Sequence, residues 1–94
     1  ARAVEDPAIL ARYAERKQAT IARIAESLHD GRFDPATLLE IRDLVHKLAG
    51  TAGMFGDEAL SGVAADGELE LAAITPASVR EVLQRNLIRL SQAA

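Results

Sequence analysis

His46 begins the segment HKLAGTAGMFG, which covers residues 46–56 and has the residue types for nucleophilic chemistry. Near neutral pH one imidazole nitrogen carries a lone pair while the other can hold the proton, so a histidine can accept a group on its ring. Gly50 and Gly53 follow this histidine by four and seven residues. A glycine in a helix interior costs about 1 kcal/mol relative to alanine, so two of them beside one histidine require a physical reason.

Helical geometry predicts the direction in which His46 points. At about 100° per residue, His46 lies roughly 130° from the centre of the apolar face of its own helix. Four residues share its side of the helix: Leu39, Arg42, Gly50 and Gly53. We therefore expect an exposed histidine beside a helix surface cleared of side chains. An exposed Leu39 indicates a protein docking patch, because small ligands bind in walled pockets.

Each of these features also has a structural interpretation, since helix glycines permit close packing and many exposed histidines have no function. Two glycines on the face of one histidine, away from the core stripe, favour the functional interpretation. Asp43, three residues before His46, is close enough in sequence to orient its ring, although a solvated acid is the simpler interpretation. Structural or surface roles are predicted for three further residues: Tyr13, His29 and Gly56.

Four segments of the chain place apolar residues at helical spacing and are separated by short turns. The first helix is expected to end at Gly31, and the core stripes of the third and fourth helices include Gly67 and Asn86. A proline follows three of the predicted caps, as is typical of the first helical position. The predicted N-cap residues of the four helices are Asp6, Asp34, Asp57 and Thr75.

Four amphipathic helices of roughly 15 to 22 residues, joined by short turns, predict an all-α, antiparallel up-down-up-down four-helix bundle. With 94 residues, the chain is interpreted as a single domain over residues 1–94. The absence of cysteine excludes disulfides and thiolate metal sites, and a net charge of −3 argues against nucleic acid as the partner. No apolar run approaches the roughly 18 residues of a membrane span. We expect a cytoplasmic monomer that binds neither membrane nor nucleic acid.

The segment HKLAGTAGMFG resembles the phosphoacceptor signature of histidine-containing phosphotransfer (Hpt) domains. That signature is a histidine followed by an apolar residue two positions on, glycine four on, small residues, an aromatic residue, and glycine ten on. The matching positions are Leu48, Gly50, Thr51, Ala52, Phe55 and Gly56. Four-helix bundles of this size are typical of the family, so the resemblance covers the whole chain. One position departs from it, because many members carry lysine where this chain has Ala49.

The resemblance implies that His46 exchanges a phosphoryl group with an aspartate of a response-regulator receiver domain, in a two-component phosphorelay that includes a hybrid histidine kinase. The receiver is expected to supply Mg²⁺, so no cofactor or metal is expected on this chain. Such a chain is a carrier without kinase activity of its own, not an enzyme. Lys47 is predicted to stabilise the phosphoryl group in place of the missing lysine, with Arg42 as the second candidate. Receiver docking is assigned to Leu39, Gly50, Gly53 and Met54.

Two other functions are compatible with a helical bundle. The first is a docking adaptor for a signalling partner in which His46 is never phosphorylated. The second is a metal or cofactor bundle, which would need inward-facing Glu and Glu-x-x-His groups that the sequence lacks. A kinase active site is not indicated, because the chain has no phosphate-binding glycine-rich motif.

Overall fold

The computed structural model describes residues 6–94 of the chain. In these residues it has four helices and no strand: α1 (Pro7–Asp30), α2 (Pro35–Met54), α3 (Glu58–Ala72) and α4 (Val79–Ala93). Helix α1 packs against α2 and α4, and α3 packs against the same two helices. The predicted all-α fold of four helices is confirmed for this part of the chain and is consistent with a four-helix bundle.

The two Asp-Pro pairs start α1 and α2 as predicted. Asp6 Oδ1 accepts a hydrogen bond from the Ala8 backbone N–H at 2.8 Å. At the start of α2, Asp34 accepts from the Thr37 hydroxyl at 2.7 Å and from the Thr37 backbone N–H at 3.1 Å. These bonds stabilise the charged carboxylate, so the Thr37 hydroxyl and then its N–H hold the pKa of Asp34 below its ordinary value.

Helices α1 and α2 end where glycine adopts a left-handed backbone. Gly31 has φ 63° and its N–H donates to the Leu28 carbonyl at 3.3 Å. Gly56 has φ 74° in the turn after α2, and Asp57 then accepts from the Leu60 N–H at the start of α3. A left-handed residue reverses the chain within one turn, which is why both connections stay short.

Helix α4 begins later than the sequence predicts, at Val79 rather than after a cap at Thr75. The Ser78 N–H donates to the Thr75 carbonyl at 3.0 Å, and the two hydroxyl groups lie 3.1 Å apart. These bonds close residues 75–78 into a separate turn. Ser78, at the N-cap position, makes no side-chain capping bond to α4. The prediction that Thr75 caps α4 is therefore wrong, because the Thr75 hydroxyl bonds Ser78 within this turn.

All four helices contribute apolar residues to one core. The buried apolar residues are Tyr13, Ile24, Ile41, Val45, Leu48, Ala52, Phe55, Leu60, Ala64, Leu71, Val79, Val82, Leu83 and Leu90. Asn86 is also buried, and its Nδ2 donates to the Val82 carbonyl at 2.9 Å. A Cβ atom at Gly67 would overlap Asn86 Oδ1. The glycine thus permits the close approach of α3 and α4 that this buried amide requires.

An aromatic pair joins α1 to the turn between α2 and α3. The rings of Tyr13 and Phe55 stack with centroids 4.4 Å apart, and Lys17 Nζ lies 4.7 Å from the Tyr13 ring centroid. The Tyr13 hydroxyl donates to Asp57 Oδ2 at 2.8 Å. Burial, together with the Asp57 carboxylate that accepts this bond, raises the pKa of Tyr13. Tyr13 is therefore a structural residue, as predicted.

Candidate functional site

His46 lies on the outer face of α2, where 67% of its side chain is exposed. Its neighbours in the sequence explain this position, because Val45 and Leu48 are fully buried in the core. The helix is held by its apolar face, so the imidazole on the other side is directed away from the bundle. A nucleophilic side chain in this position is accessible to another molecule.

Glu68 on α3 is the acidic group that contacts the histidine. Its Oε2 lies 2.7 Å from His46 Nδ1, which is within the range of a charge-assisted hydrogen bond. The Glu68 side chain is 28% exposed and so lies partly within the junction of α2 and α3. A second bond across this junction, from the Ser61 hydroxyl to the Ala49 carbonyl at 2.9 Å, helps to set the register of the two helices.

Glu68 is not among the site residues predicted from the sequence. Asp43 is the acid that the sequence places nearest to His46, but Asp43 Oδ2 lies 3.0 Å from Lys47 Nζ. Glu68 follows the core residue Gly67 by one position, which places it at the edge of the buried face of α3. That position is a weak signal for an interhelical contact, but it does not indicate which residue of which helix is contacted.

A shallow depression of about 220 Å³ surrounds the histidine. Its lining residues are Leu39, Arg42, Asp43, His46 and Glu68. Arg42 precedes His46 by one helical turn and is exposed, and within residues 6–94 it forms no ion pair. Lys47 is absent from this lining, since consecutive residues of a helix point about 100° apart.

The two glycines after His46 have different surroundings. A Cβ atom at Gly50 would meet nothing within 4 Å, so this part of the α2 surface is open. A Cβ atom at Gly53 would lie 3.4 Å from Ser61 Oγ, which is ordinary van der Waals contact with α3. Gly53 is exposed but borders the neighbouring helix, and Gly50 is the bare position beside the histidine.

Large apolar side chains are exposed on both helices of the site. On α2 these are Leu39, 65% exposed, and Met54, 69% exposed. On α3, Leu69 is 72% exposed and was not identified from the sequence. Its place in the helix could have identified it, because it lies next to Glu68 on the side opposite the core residues.

A larger depression, of about 580 Å³, lies away from the histidine. It is formed by α1 and the turn after α2, beside the stacked rings of Tyr13 and Phe55. The polar groups there already bond one another, since Asp57 accepts from both the Tyr13 hydroxyl and the Leu60 N–H. We therefore assign this depression to the packing of the bundle end.

The comparison with known families decides the identity. Residues 8–93 match the Hpt domain family. The chain belongs to the Hpt family. No significant similarity to a curated protein or to a solved structure is found. Membership of the family implies a phosphotransfer role in two-component signalling, as a carrier and not as a classical enzyme, with receiver domains and kinases as the partners.

Among residues 6–94, no three His, Asp or Glu side chains lie together as ligands for a metal ion. Over the same range, no helix combines the length and the apolar character needed to cross a bilayer.

Proposed function

We propose that this Hpt domain accepts a phosphoryl group on His46 and exchanges it with the aspartate of a response-regulator receiver domain. The observation that carries the proposal is an exposed imidazole on the outer face of α2, beside the open surface at Gly50. Phosphoryl transfer between two side chains depends on positioning and electrostatics, so the histidine must be accessible to a partner's active site. A hybrid histidine kinase upstream, a receiver that supplies the Mg²⁺, a cytoplasmic location and a monomeric state are parts of the same proposal.

Many family members carry a lysine that this chain lacks, and we assign its role to Arg42 in preference to Lys47. Arg42 lines the depression around His46 and forms no ion pair among residues 6–94, whereas Lys47 is paired with Asp43 at 3.0 Å. A guanidinium can bind two phosphoryl oxygens at once, which suits a group that must be held in line during transfer. Lys47 stays the second candidate, because an exposed ion pair is weak and can be exchanged for a phosphoryl contact.

The receiver is proposed to dock over α2 and α3 around the histidine. The exposed side chains Leu39 and Met54 supply apolar contacts on α2, and Gly50 and Gly53 permit a close approach. On α3 we add three exposed residues to this surface: Gly62, Ala65 and Leu69. A surface that combines small residues around a reactive group with apolar residues at its rim is typical of a protein interface.

The up-down-up-down order predicted from the short turns is also part of this proposal. It is supported by contacts in which residue numbers rise along one helix as they fall along the next. Two such pairs join α2 to α3, namely Ala49–Ser61 and His46–Glu68. Arg23–Glu40 joins α1 to α2, and Tyr13–Phe55 joins α1 to the residue that follows α2. This order places the His46 face of α2 beside α3.

The test is a phosphotransfer profile against a panel of phosphorylated receiver domains. The wild-type domain is expected to gain acid-labile, base-stable phosphate, and His46→Ala is expected to gain none. His29→Ala is the matched control, because His29 is the chain's other histidine and is also exposed. Labelling of His46→Ala would overturn the proposal. Binding of a receiver with no phosphate on the wild-type chain would instead support the docking adaptor.

A further inference from the structure

Met54 carries the only sulfur atom of this chain, because the sequence has one methionine and no cysteine. The side chain lies at the end of α2 and the residue is 69% exposed. A thioether is oxidised by peroxides to a sulfoxide, and an exposed thioether is the one they reach. An oxidant that meets this domain therefore has one preferred target, and that target lies on the surface.

The surroundings of Met54 connect it to the open part of the α2 surface. Side chains on a helix lean toward the N-terminus, so Met54 lies over the turn that contains Gly50 and Thr51. A Cβ atom at Gly50 would meet nothing within 4 Å, and the Thr51 hydroxyl donates to the Lys47 carbonyl at 2.8 Å. Met54 therefore borders the open surface, one helical turn from Gly50 and about two turns from His46.

We propose that Met54 is an oxidation site through which peroxide weakens the docking of the receiver. The inference rests on the proposed function, in which Met54 supplies an apolar contact at the edge of the docking surface. A sulfoxide is polar, so an interface that covers it must remove water from the new oxygen atom without replacing its hydrogen bonds. The two exposed leucines of this surface, Leu39 and Leu69, contain no sulfur and keep their apolar character.

The oxidation balances with hydrogen peroxide as the oxidant. A lone pair of the Met54 sulfur attacks one peroxide oxygen, the S–O bond forms as the O–O bond breaks, and the other oxygen leaves as water after proton transfer. Sulfur loses an electron pair and the peroxide gains it. Methionine sulfoxide reductases return the product to methionine, so the change in the docking surface is reversible.

Oxidation of Met54 leaves the core and the phosphoacceptor in place. The end of α2 is held by Ala52 and Phe55, which are both buried. Met54 itself is outside the core, so the added oxygen atom faces solvent and displaces no packed group. His46 lies about two turns away and keeps its contact with Glu68. Peroxide is therefore expected to change the access of a protein partner and not the reactivity of the imidazole.

The experiment treats the domain with hydrogen peroxide, removes the oxidant, and then adds the phosphorylated receiver that transfers fastest in the profile described above. Mass spectrometry of the wild-type domain is expected to show one added oxygen atom, on Met54. Transfer from a dilute receiver is expected to slow about tenfold, as suits the burial of one polar group without a partner. An excess of receiver should recover the rate, because weaker docking raises KM and leaves kcat unchanged. Treatment with a methionine sulfoxide reductase is expected to restore the initial KM.

Two variants are the controls, and each is compared with its own untreated sample. Met54→Leu has an apolar side chain without sulfur, so peroxide is expected to leave its transfer rate where it was before treatment. Met54→Gln places a polar group near the position of the sulfoxide and is expected to be as slow without peroxide as the oxidised wild type. Phosphoramidate, which releases ammonia as it donates its phosphoryl group, is expected to label the oxidised and the untreated wild type at the same rate.

The possible results separate this inference from the proposed function. An oxidised domain that keeps the untreated KM, no oxygen on Met54, or an equal loss of rate in Met54→Leu would each overturn the role of Met54. None of these results would affect the transfer of phosphate from a receiver to His46 in the untreated domain. A wild-type domain that no receiver phosphorylates would instead refute the proposed function and the role of Met54 together, before any peroxide is added.

Discussion

Gly67 and Gly50 both lie inside helices, but of the two only Gly67 has an atom where its side chain would be. The space beside Gly67 is occupied by Asn86 Oδ1, whereas a Cβ atom at Gly50 would meet nothing within 4 Å. The same residue type therefore has a packing role on α3 and leaves an open surface on α2. These roles can be separated by adding a single methyl group at each position.

We predict opposite effects for the two alanine substitutions. Gly67→Ala forces the Asn86 side chain or the helix to move, and overpacking of this kind costs roughly 1–3 kcal/mol. Gly50→Ala adds a better helix former in open space and should stabilise the domain by about 1 kcal/mol. Urea unfolding followed by circular dichroism measures both changes. A neutral Gly67→Ala variant would contradict the close approach of α3 and α4.

Tyr13 makes the stability of the domain depend on alkaline pH. Burial beside Asp57 raises its pKa above the ordinary value of 10.0, so the folded state holds the phenol proton more tightly than the unfolded state. The contribution is fully present below the unfolded pKa and is lost as the pH rises above it. We predict that the free energy of unfolding decreases above pH 10 more steeply for the wild type than for Tyr13→Phe. Equal slopes in urea titrations at several pH values would contradict the shifted pKa.

At the scale of the element, α2 performs two tasks on opposite faces. Its buried residues, among them Val45 and Leu48, attach it to the core, while His46 and Arg42 lie on the exposed side. Residues one turn apart on a helix are neighbours, so a cation can be supplied from either side of the histidine along the helix axis. In this chain the position one turn after His46 is occupied by Ala49, and the cationic side chain of Arg42 lies one turn before His46.

We predict that Arg42→Ala slows phosphotransfer from a receiver by about tenfold, in line with the loss of charge-assisted bonds to the phosphoryl group. Lys47→Ala is expected to have a smaller effect. The double variant Arg42→Ala, Ala49→Lys is expected to recover most of the rate, because the introduced lysine restores a charge one turn after His46. Transfer rates measured with one phosphorylated receiver test all three variants. A larger loss in Lys47→Ala than in Arg42→Ala would reverse the assignment.

The whole molecule is elongated, with extents of 42 × 21 × 21 Å over the described residues. Leu39 lines the depression around His46 on α2, and Leu69 is exposed on α3, the helix that carries Glu68. A partner that docks there must approach the open surface at Gly50. The reactivity of the ring and the access of a protein to it are therefore separate properties.

We predict that Gly50→Leu folds normally but blocks phosphotransfer from receivers, because the added side chain separates the two active groups. Phosphoramidate, a small phosphoryl donor that acts without a receiver, should still label His46 at the wild-type rate, because it does not need the docking surface. Gln84→Leu is the control, as it places an equally large side chain on the exposed face of α4. Transfer from a receiver to Gly50→Leu at the wild-type rate would refute the docking surface.

Much of this architecture could be predicted from local patterns. The apolar stripes predicted four helices, the Asp-Pro pairs predicted where α1 and α2 begin, and the spacing around His46 predicted that it would be exposed. The start of α4 could not be predicted in the same way. Thr75 and Ser78 form hydrogen bonds with each other in a separate turn. Such turns use the same residue types as helix caps, so the sequence does not distinguish the two.

The amino-acid sequence alone determined that four helices form, which face of each helix is buried and which family the segment beginning at His46 resembles. These properties depend on residues within a few turns of one another. Only the tertiary structure decided that Glu68 contacts His46 and that Asn86 occupies the space beside Gly67. Contacts between helices depend on their register and separation, which follow from the packing of the whole core and not from the periodicity of any one segment.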